Sequence, residues 1–284
     1  MTPRPVEGLR SGDVPPRTVP VLLYHSVSAE PTGPMQRYTL SPGTFRQHVA
    51  WIVENGFDTV TVSDYAMALR GEKPWPRRPL VITFDDGYAD FLAEAAPVLA
   101  DHGLVSTLYV TTRPIGRTRR GTMAGRVMLT WAELRELPAL GVEIGGHSHD
   151  HAQLDLLPWD RVVQQVGTCK QALEDHLQFR VTSFAYPHGY NSATTRRAVR
   201  SVDYTSACGV GNALSHERDD LWSISRIMFE RDDGVDRLRR ACADGADPLA
   251  APGDTLVRRA WRIVRRTRVR LRPETLTPPT TEGD

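Results

Sequence analysis

The feature that most constrains this chain is a rhythm of seven short, continuously apolar, β-rich runs separated by stretches of helical patterning. The runs are VPVLLYH (19–25), LVITF (80–84), VSTLYVT (105–111), VEIGG (142–146), TSFAY (182–186), YTSAC (204–208) and WSISRIMF (222–229). Their apolar residues are consecutive rather than alternating, the mark of strands covered on both faces in a parallel sheet. The stretches between them carry helix punctuation. Ser41 before Pro42 opens TFRQHVAWIVEN and Gly56 closes it, while Thr130 with Glu133 three residues on makes a capping box for WAELREL. Roughly seven β/α units predict an α/β fold closed, or partly closed, into a barrel, with its chemistry at the C-terminal ends of the strands.

A chain of 284 residues, 40% of them hydrophobic, can bury one full core. We expect a flexible Pro- and Gly-rich lead-in over 1–18, one domain over 19–245, and a basic helix with a disordered tail over 246–284. Cys169, Cys208 and Cys242 are odd in number and widely spaced, which suits neither a disulfide framework nor a metal knuckle and points to a reducing compartment. The start of the chain has no apolar core of signal-peptide length, and no run reaches the roughly 18 apolar residues of a membrane span. A cytoplasmic protein is the expectation. Charge is unevenly spread: eight of the 35 basic side chains fall within 255–272 with no acid among them, leaving 27 basic against 34 acidic groups elsewhere. That segment, LVRRAWRIVRRTRVRLR, places Val257, Ala260, Trp261, Val264 and Leu271 roughly on one helical face. It could lie on the anionic inner face of a membrane, or pack as an ordinary solvated helix. The acidic body argues against nucleic acid as a partner.

Four strand ends carry candidate chemistry. LVITF runs into Asp85-Asp86-Gly87, and two adjacent carboxylates at the end of a buried strand repel unless a cation relieves them. Taken alone they could equally open a helix as an acidic turn. VEIGG ends in His147-Ser148-His149-Asp150-His151. His147 and His151, flanking a short turn, can reach one ion, and with Asp86 they make a three-ligand site open to water and substrate. His149 could be a ligand, a supporting residue or merely exposed. The third end, Tyr186-Pro187-His188-Gly189, is a rigid turn whose backbone N–H groups could face a cleft, or a purely structural one. The fourth is His25 after the first run, either a proton donor opposite Asp85 or a satisfied core histidine. The basic, Gly-containing stretch 113–127 either borders the cleft or is a solvated excursion.

TFDDG, then H-S-x-x-H, then a strand ending in aromatic-Pro-x-Gly resembles the polysaccharide deacetylase family, the NodB-homology domain of carbohydrate esterase family 4. A Tyr-His segment ahead of TFDDG is similar to its permuted subgroup that deacetylates poly-N-acetylglucosamine. The resemblance spans about residues 19–230 and implies a distorted (β/α)7 barrel that hydrolyses N-acetyl, or O-acetyl, groups on sugars. It implies Asp85 as general base, Asp86, His147 and His151 as metal ligands, and His25 as general acid. It further implies Ser148 as a brace of the ligand loop and a backbone N–H near His188, in the Tyr186-Pro187-His188 turn, as oxyanion donor.

The chain departs from the family pattern where Ala185 stands in place of an Arg that normally orients the catalytic Asp; Arg226, on the last run, is our candidate replacement. The family's late Asp-x-x-Asp-Trp and apolar-x-x-His runs are absent in convincing form, which favours the permuted arrangement. The implied cofactor is one divalent metal ion, Zn2+ first, although the same ligands accept Co, Mn, Ni or Fe; no organic cofactor site is expected. The implied partner is an acetylated carbohydrate, polymeric or linked to a lipid or nucleotide. Two other readings stay open, a non-catalytic carbohydrate-binding descendant and a hydrolase of another non-peptide C–N bond.

Overall fold

A computed structural model describes residues 17–31, 33–115 and 121–243, together with Pro248 and Val264. All seven apolar runs contain strands: β1 (Val21–Tyr24), β2 (Pro79–Phe84), β3 (Ser106–Val110), β4 (Val142–Gly146), β5 (Ser183–Ala185), β6 (Ser206–Cys208) and β7 (Ile227–Met228). Each pairs in parallel with the next from β1 to β6, and β7 pairs in parallel with β1. The ring closes between β6 and the segment entering β7. There Cys208 bridges to Ile224, Ile224 N–H donates to Ala207 O at 3.0 Å and Gly209 N–H to Ile224 O at 2.9 Å. A bridge and a few bonds replace a full ladder at that seam, so the expected (β/α)7 barrel is a distorted one.

The period of two along each strand divides the apolar residues between two cores. Leu22, Tyr24, Ile82, Phe84, Leu108, Val110 and Ile144 face outward and pack with the helices in the larger cluster. Val21, Val81, Tyr109, Ala185, Cys208 and Ile224 face into the barrel and form a second cluster with Val62 and Tyr65. A β/α barrel needs both surfaces apolar, which is why its strands read as unbroken hydrophobic runs.

The helix signals act as expected. Ser41 accepts from Thr44 N–H at the start of Pro42–Glu54, and Asn55 and Gly56 (φ +63°) end that helix. Thr130 and Glu133 form the reciprocal capping box of Trp131–Glu136. Other elements were not expected. Strand Asp58–Val60 pairs with Pro79–Val81 of β2, and the helix after it, Val62–Leu69, covers the N-terminal mouth of the barrel, with Val62 N–H donating to Thr107 Oγ1 at 3.0 Å. The three residues of that strand offer no run long enough to stand out from a loop. Within the stretch 113–127, Thr122–Met123 and Arg126–Val127 pair as an antiparallel hairpin. Its turn residues Ala124 and Gly125 both have positive φ, the type I′ pattern that matches strand twist.

Contacts at both ends of the described chain tie it to one loop region. Thr18 already pairs with His216, and Pro248 O accepts Leu214 N–H at 2.8 Å. The lead-in 1–16 and nearly all of the Arg-rich segment lie outside the described residues. Cys169, Cys208 and Cys242 are all free thiols. No helix among the described residues is long and apolar enough to cross a membrane.

Candidate metal centre

The four strand ends meet at the C-terminal mouth of the barrel. His25, Asp85, Asp86, His147, His151 and His188 share one cavity of about 560 Å3, whose other walls include Met35, Met123, Met228 and Tyr38. Ligand atoms of Asp86, His147 and His151 all lie within 4.8 Å of one another. His151 Nε2 is 3.2 Å, and His147 Nε2 3.5 Å, from Asp86 Oδ1.

Backbone conformation separates the two carboxylates. Asp85 N–H donates to Tyr24 O at 3.0 Å, continuing the β1–β2 ladder. Asp86 then adopts φ +78° and Gly87 φ +92°, which turns the second carboxylate away from the first. A Cβ on Gly87 would lie 3.2 Å from Val110 Cγ1. Asp86, Ser148, His151 and His188 make up half of the eight non-glycine residues with positive φ among those described. Left-handed backbone outside glycine is costly, and its gathering at one mouth marks a site whose geometry is set by the surrounding fold.

Asp85 points to Arg226, which is fully buried. Nη1 donates to Asp85 Oδ1 at 2.6 Å and Nη2 to Oδ2 at 2.8 Å, a bidentate pair. Arg226 is held in turn by Gly209 O at 3.0 Å and Thr83 Oγ1 at 3.2 Å. Burial opposes ionisation of Asp85, but the guanidinium and His147 outweigh it and hold the carboxyl below its ordinary range. Burial likewise opposes charge on Asp86, and His151 chiefly reverses that, leaving it well below the usual carboxylate value.

The donor set fits a divalent cation. Asp86 Oδ1 is buried without a hydrogen-bond donor. His147 Nδ1–H donates to Ala185 O at 2.8 Å, so Nε2, the atom facing Asp86, is the free lone pair. Burial lowers the His147 pKa to about 4, keeping the imidazole neutral as a ligand must be. Burial also acts against protonation of His151, but Asp86 overcomes it and raises that group. Two imidazole nitrogens and one carboxylate oxygen match the protein share of a catalytic zinc site.

The remaining expected residues separate. His25 lines the cavity, its Nδ1 buried and without a partner, and burial lowers its pKa. His188 lines the cavity too, its ring 4.7 Å from that of His151. Tyr186 and Pro187 do not: both are buried, and Tyr186 Oη donates to Trp222 O at 3.0 Å. His149 turns aside to Thr112 Oγ1 at 2.9 Å. Ser148, implied as a brace, has positive φ and is buried with its hydroxyl unbonded. Bracing comes from Gln165 and Arg113, which sequence reasoning missed; the one hint was a glutamine in the apolar stripe of the helix Trp159–Leu177.

A parallel β/α barrel with a carboxylate–bis-imidazole cluster at the carboxyl ends of its strands fits the pattern of a metal-assisted hydrolase, one of several chemistries such a donor set supports. Comparison with known sequences narrows the class. Residues 72–207, just under half of the chain, match the family model described as polysaccharide deacetylase. That span takes in Asp85, Asp86, His147, His151 and His188 but neither His25 nor Arg226. Over 212 residues the chain is 25% identical to Bacillus subtilis (strain 168) YxkH, itself named only as a candidate polysaccharide deacetylase, covering 75% of this chain and 71% of that protein. A 77-residue stretch is 36% identical to the Escherichia coli (strain K12) poly-β-1,6-N-acetyl-D-glucosamine N-deacetylase, covering 27% of this chain and 11% of that longer protein. Among solved structures, the Streptococcus pyogenes deacetylase PplD in complex with acetate superposes with a TM-score of 0.71 at 21% identity, covering 81% of this chain and all of that one.

Proposed function

We propose that this domain is a metal-dependent deacetylase that removes the acetyl group from an acetamido sugar. The observation that carries the reading is the convergence of Asp86, His147 and His151 within 4.8 Å of one another, with Asp85 beside them in its pair with Arg226. A divalent ion bound there, Zn2+ first among those the ligands accept, supplies Lewis acidity toward the acetyl carbonyl and makes water more acidic.

The chain's own groups carry the proton traffic. Asp85, kept ionised and fixed in direction by the two guanidinium bonds, takes the proton of the attacking water. The C–N bond then breaks, giving acetate and a free amino sugar, and the departing nitrogen needs one proton. His25, in the same cavity, delivers it. The protons balance, one leaving the attacking water for Asp85 and one reaching the departing nitrogen, while burial disfavours the charged form of His25 between turnovers. Backbone of the turn at His188 lines the cavity where the oxyanion develops and is the candidate oxyanion donor.

The match to a poly-N-acetylglucosamine deacetylase makes N-acetylglucosamine oligomers the first substrates to try. The reading as a non-catalytic descendant drew its best support from the arginine that Ala185 replaces, and the bidentate bond of Arg226 to Asp85 favours the catalytic reading instead. Acetate release from these oligomers, measured on protein stripped with a chelator and reloaded with Zn2+, tests the proposal. Release that depends on the ion supports it; release by the stripped protein at the same rate refutes metal dependence, and none under any metal or acetylated sugar refutes the activity.

A further inference from the structure

We propose that Gln165 is the positioning residue of the ligand loop, setting the separation of His147 and His151 for the cation; this rests on the metal-site reading above. The two histidines are anchored unequally. His147 stands at the end of β4, with its N–H donating to Val110 O at 2.9 Å and its ring to Ala185 O, so the barrel itself holds it. His151 lies four residues further on, across a turn that is left-handed at Ser148 (φ +65°) and at His151 itself (φ +58°). Such a turn needs outside support to persist.

Gln165 supplies that support from the helix behind the loop. Its Oε1 accepts Asp150 N–H at 2.9 Å while its Nε2 donates to Asp150 Oδ2 at 2.8 Å. Its backbone carbonyl also accepts His149 N–H at 3.1 Å. A primary amide accepts from a backbone N–H and donates to a carboxylate at once, through two separate atoms and without carrying charge. The reach from a buried helix face selects Gln over Asn. On the other side of the loop, Arg113 N–H donates to His149 O at 2.9 Å and its guanidinium lies 3.3 Å from Asp150 Oδ2. Residues 149 and 150 are thus gripped from both sides, which leaves His151 one bond beyond a fixed point. Gln165 is almost wholly buried, whereas the Arg113 side chain is 60% exposed, so the inner grip is the stronger.

The test is Zn2+ affinity by chelator competition, and the absorption spectrum of the Co2+-loaded protein, for the full chain and for Gln165→Leu, Gln165→Glu and Arg113→Ala. Residues that orient ligands from outside the coordination sphere cost about 10- to 100-fold in metal affinity when removed. We expect a loss in that range, with an altered Co2+ spectrum, for both Gln165 variants and a smaller loss for Arg113→Ala. Glu fills the same space but cannot donate to Asp150, so a space-filling role would leave Gln165→Glu unchanged. Should Gln165→Leu fail to fold, Gln165→Glu and Arg113→Ala still decide the matter. Zn2+ affinity within twofold of the parent in the folded Gln165 variants, with the Co2+ spectrum unmoved, overturns the inference alone. A parent protein that binds neither ion overturns the metal-site reading and the inference with it.

Discussion

At the scale of single residues, two adjacent acids are given different partners. Asp85 is paired with a cation of the protein, and Asp86 faces the open side of the barrel with an oxygen that has no donor. Replacing Asp85 by Ala is expected to lower acetate release by several orders of magnitude while bound metal, assayed on the purified protein, stays at the parent level. His147→Ala and His151→Ala are expected to lose the metal itself. Arg226 carries a different risk. It is fully buried, and removing one member of a buried ion pair strands the other's charge at a cost of about 3–5 kcal/mol. Arg226→Met should therefore lower the urea midpoint as well as the rate. A normal midpoint for that variant would mean that Asp85 finds another partner or a proton.

At the scale of elements, strands with both faces buried announce themselves, and capped helices nearly as clearly. All seven strand-bearing runs and both helix starts were legible because continuous apolarity and side-chain caps are local properties. The strand Asp58–Val60 and the hairpin at 122–127 were not, since their pairing depends on what the chain brings beside them. The glycines of β4 belong to the same lesson. A Cβ on Gly145 would sit 2.5 Å from the ring of Tyr109 and 2.8 Å from Ser183 Oγ, so this position is dictated by side chains of the two adjacent strands. Gly145→Ala is expected to destabilise the protein by about 1–3 kcal/mol through overpacking, read as a shift in the thermal midpoint. At the helix scale, Thr130→Ala should cost about 1 kcal/mol by removing the cap of Trp131–Glu136.

For the whole molecule, several buried histidines tie stability to pH. Burial depresses His147 to about 4 and lowers His25, His48 and His149; His151 alone among the shifted histidines is raised, by Asp86. Between about pH 6.5, where an unfolded histidine titrates, and pH 4, the unfolded chain binds more protons than the native one. Lowering the pH through that window should thus destabilise the metal-free protein, with His151 opposing in part. Urea midpoints at pH 7 and pH 5 check the sign; a higher midpoint at pH 5 would contradict it. What the sequence determined by itself was the barrel, the metal-type residues on two strand ends and the starts of two helices, because each is written in contiguous residues whose pattern is set by burial or by a local hydrogen bond. Only the tertiary structure decided that Arg226 would reach Asp85 across the barrel, that Tyr186 and Pro187 would turn inward while His188 faced the cavity, and that Gln165 rather than Ser148 would hold the ligand loop. Those outcomes depend on the directions in which side chains leave a curved sheet and a left-handed turn, and direction is fixed by packing against residues distant in the chain.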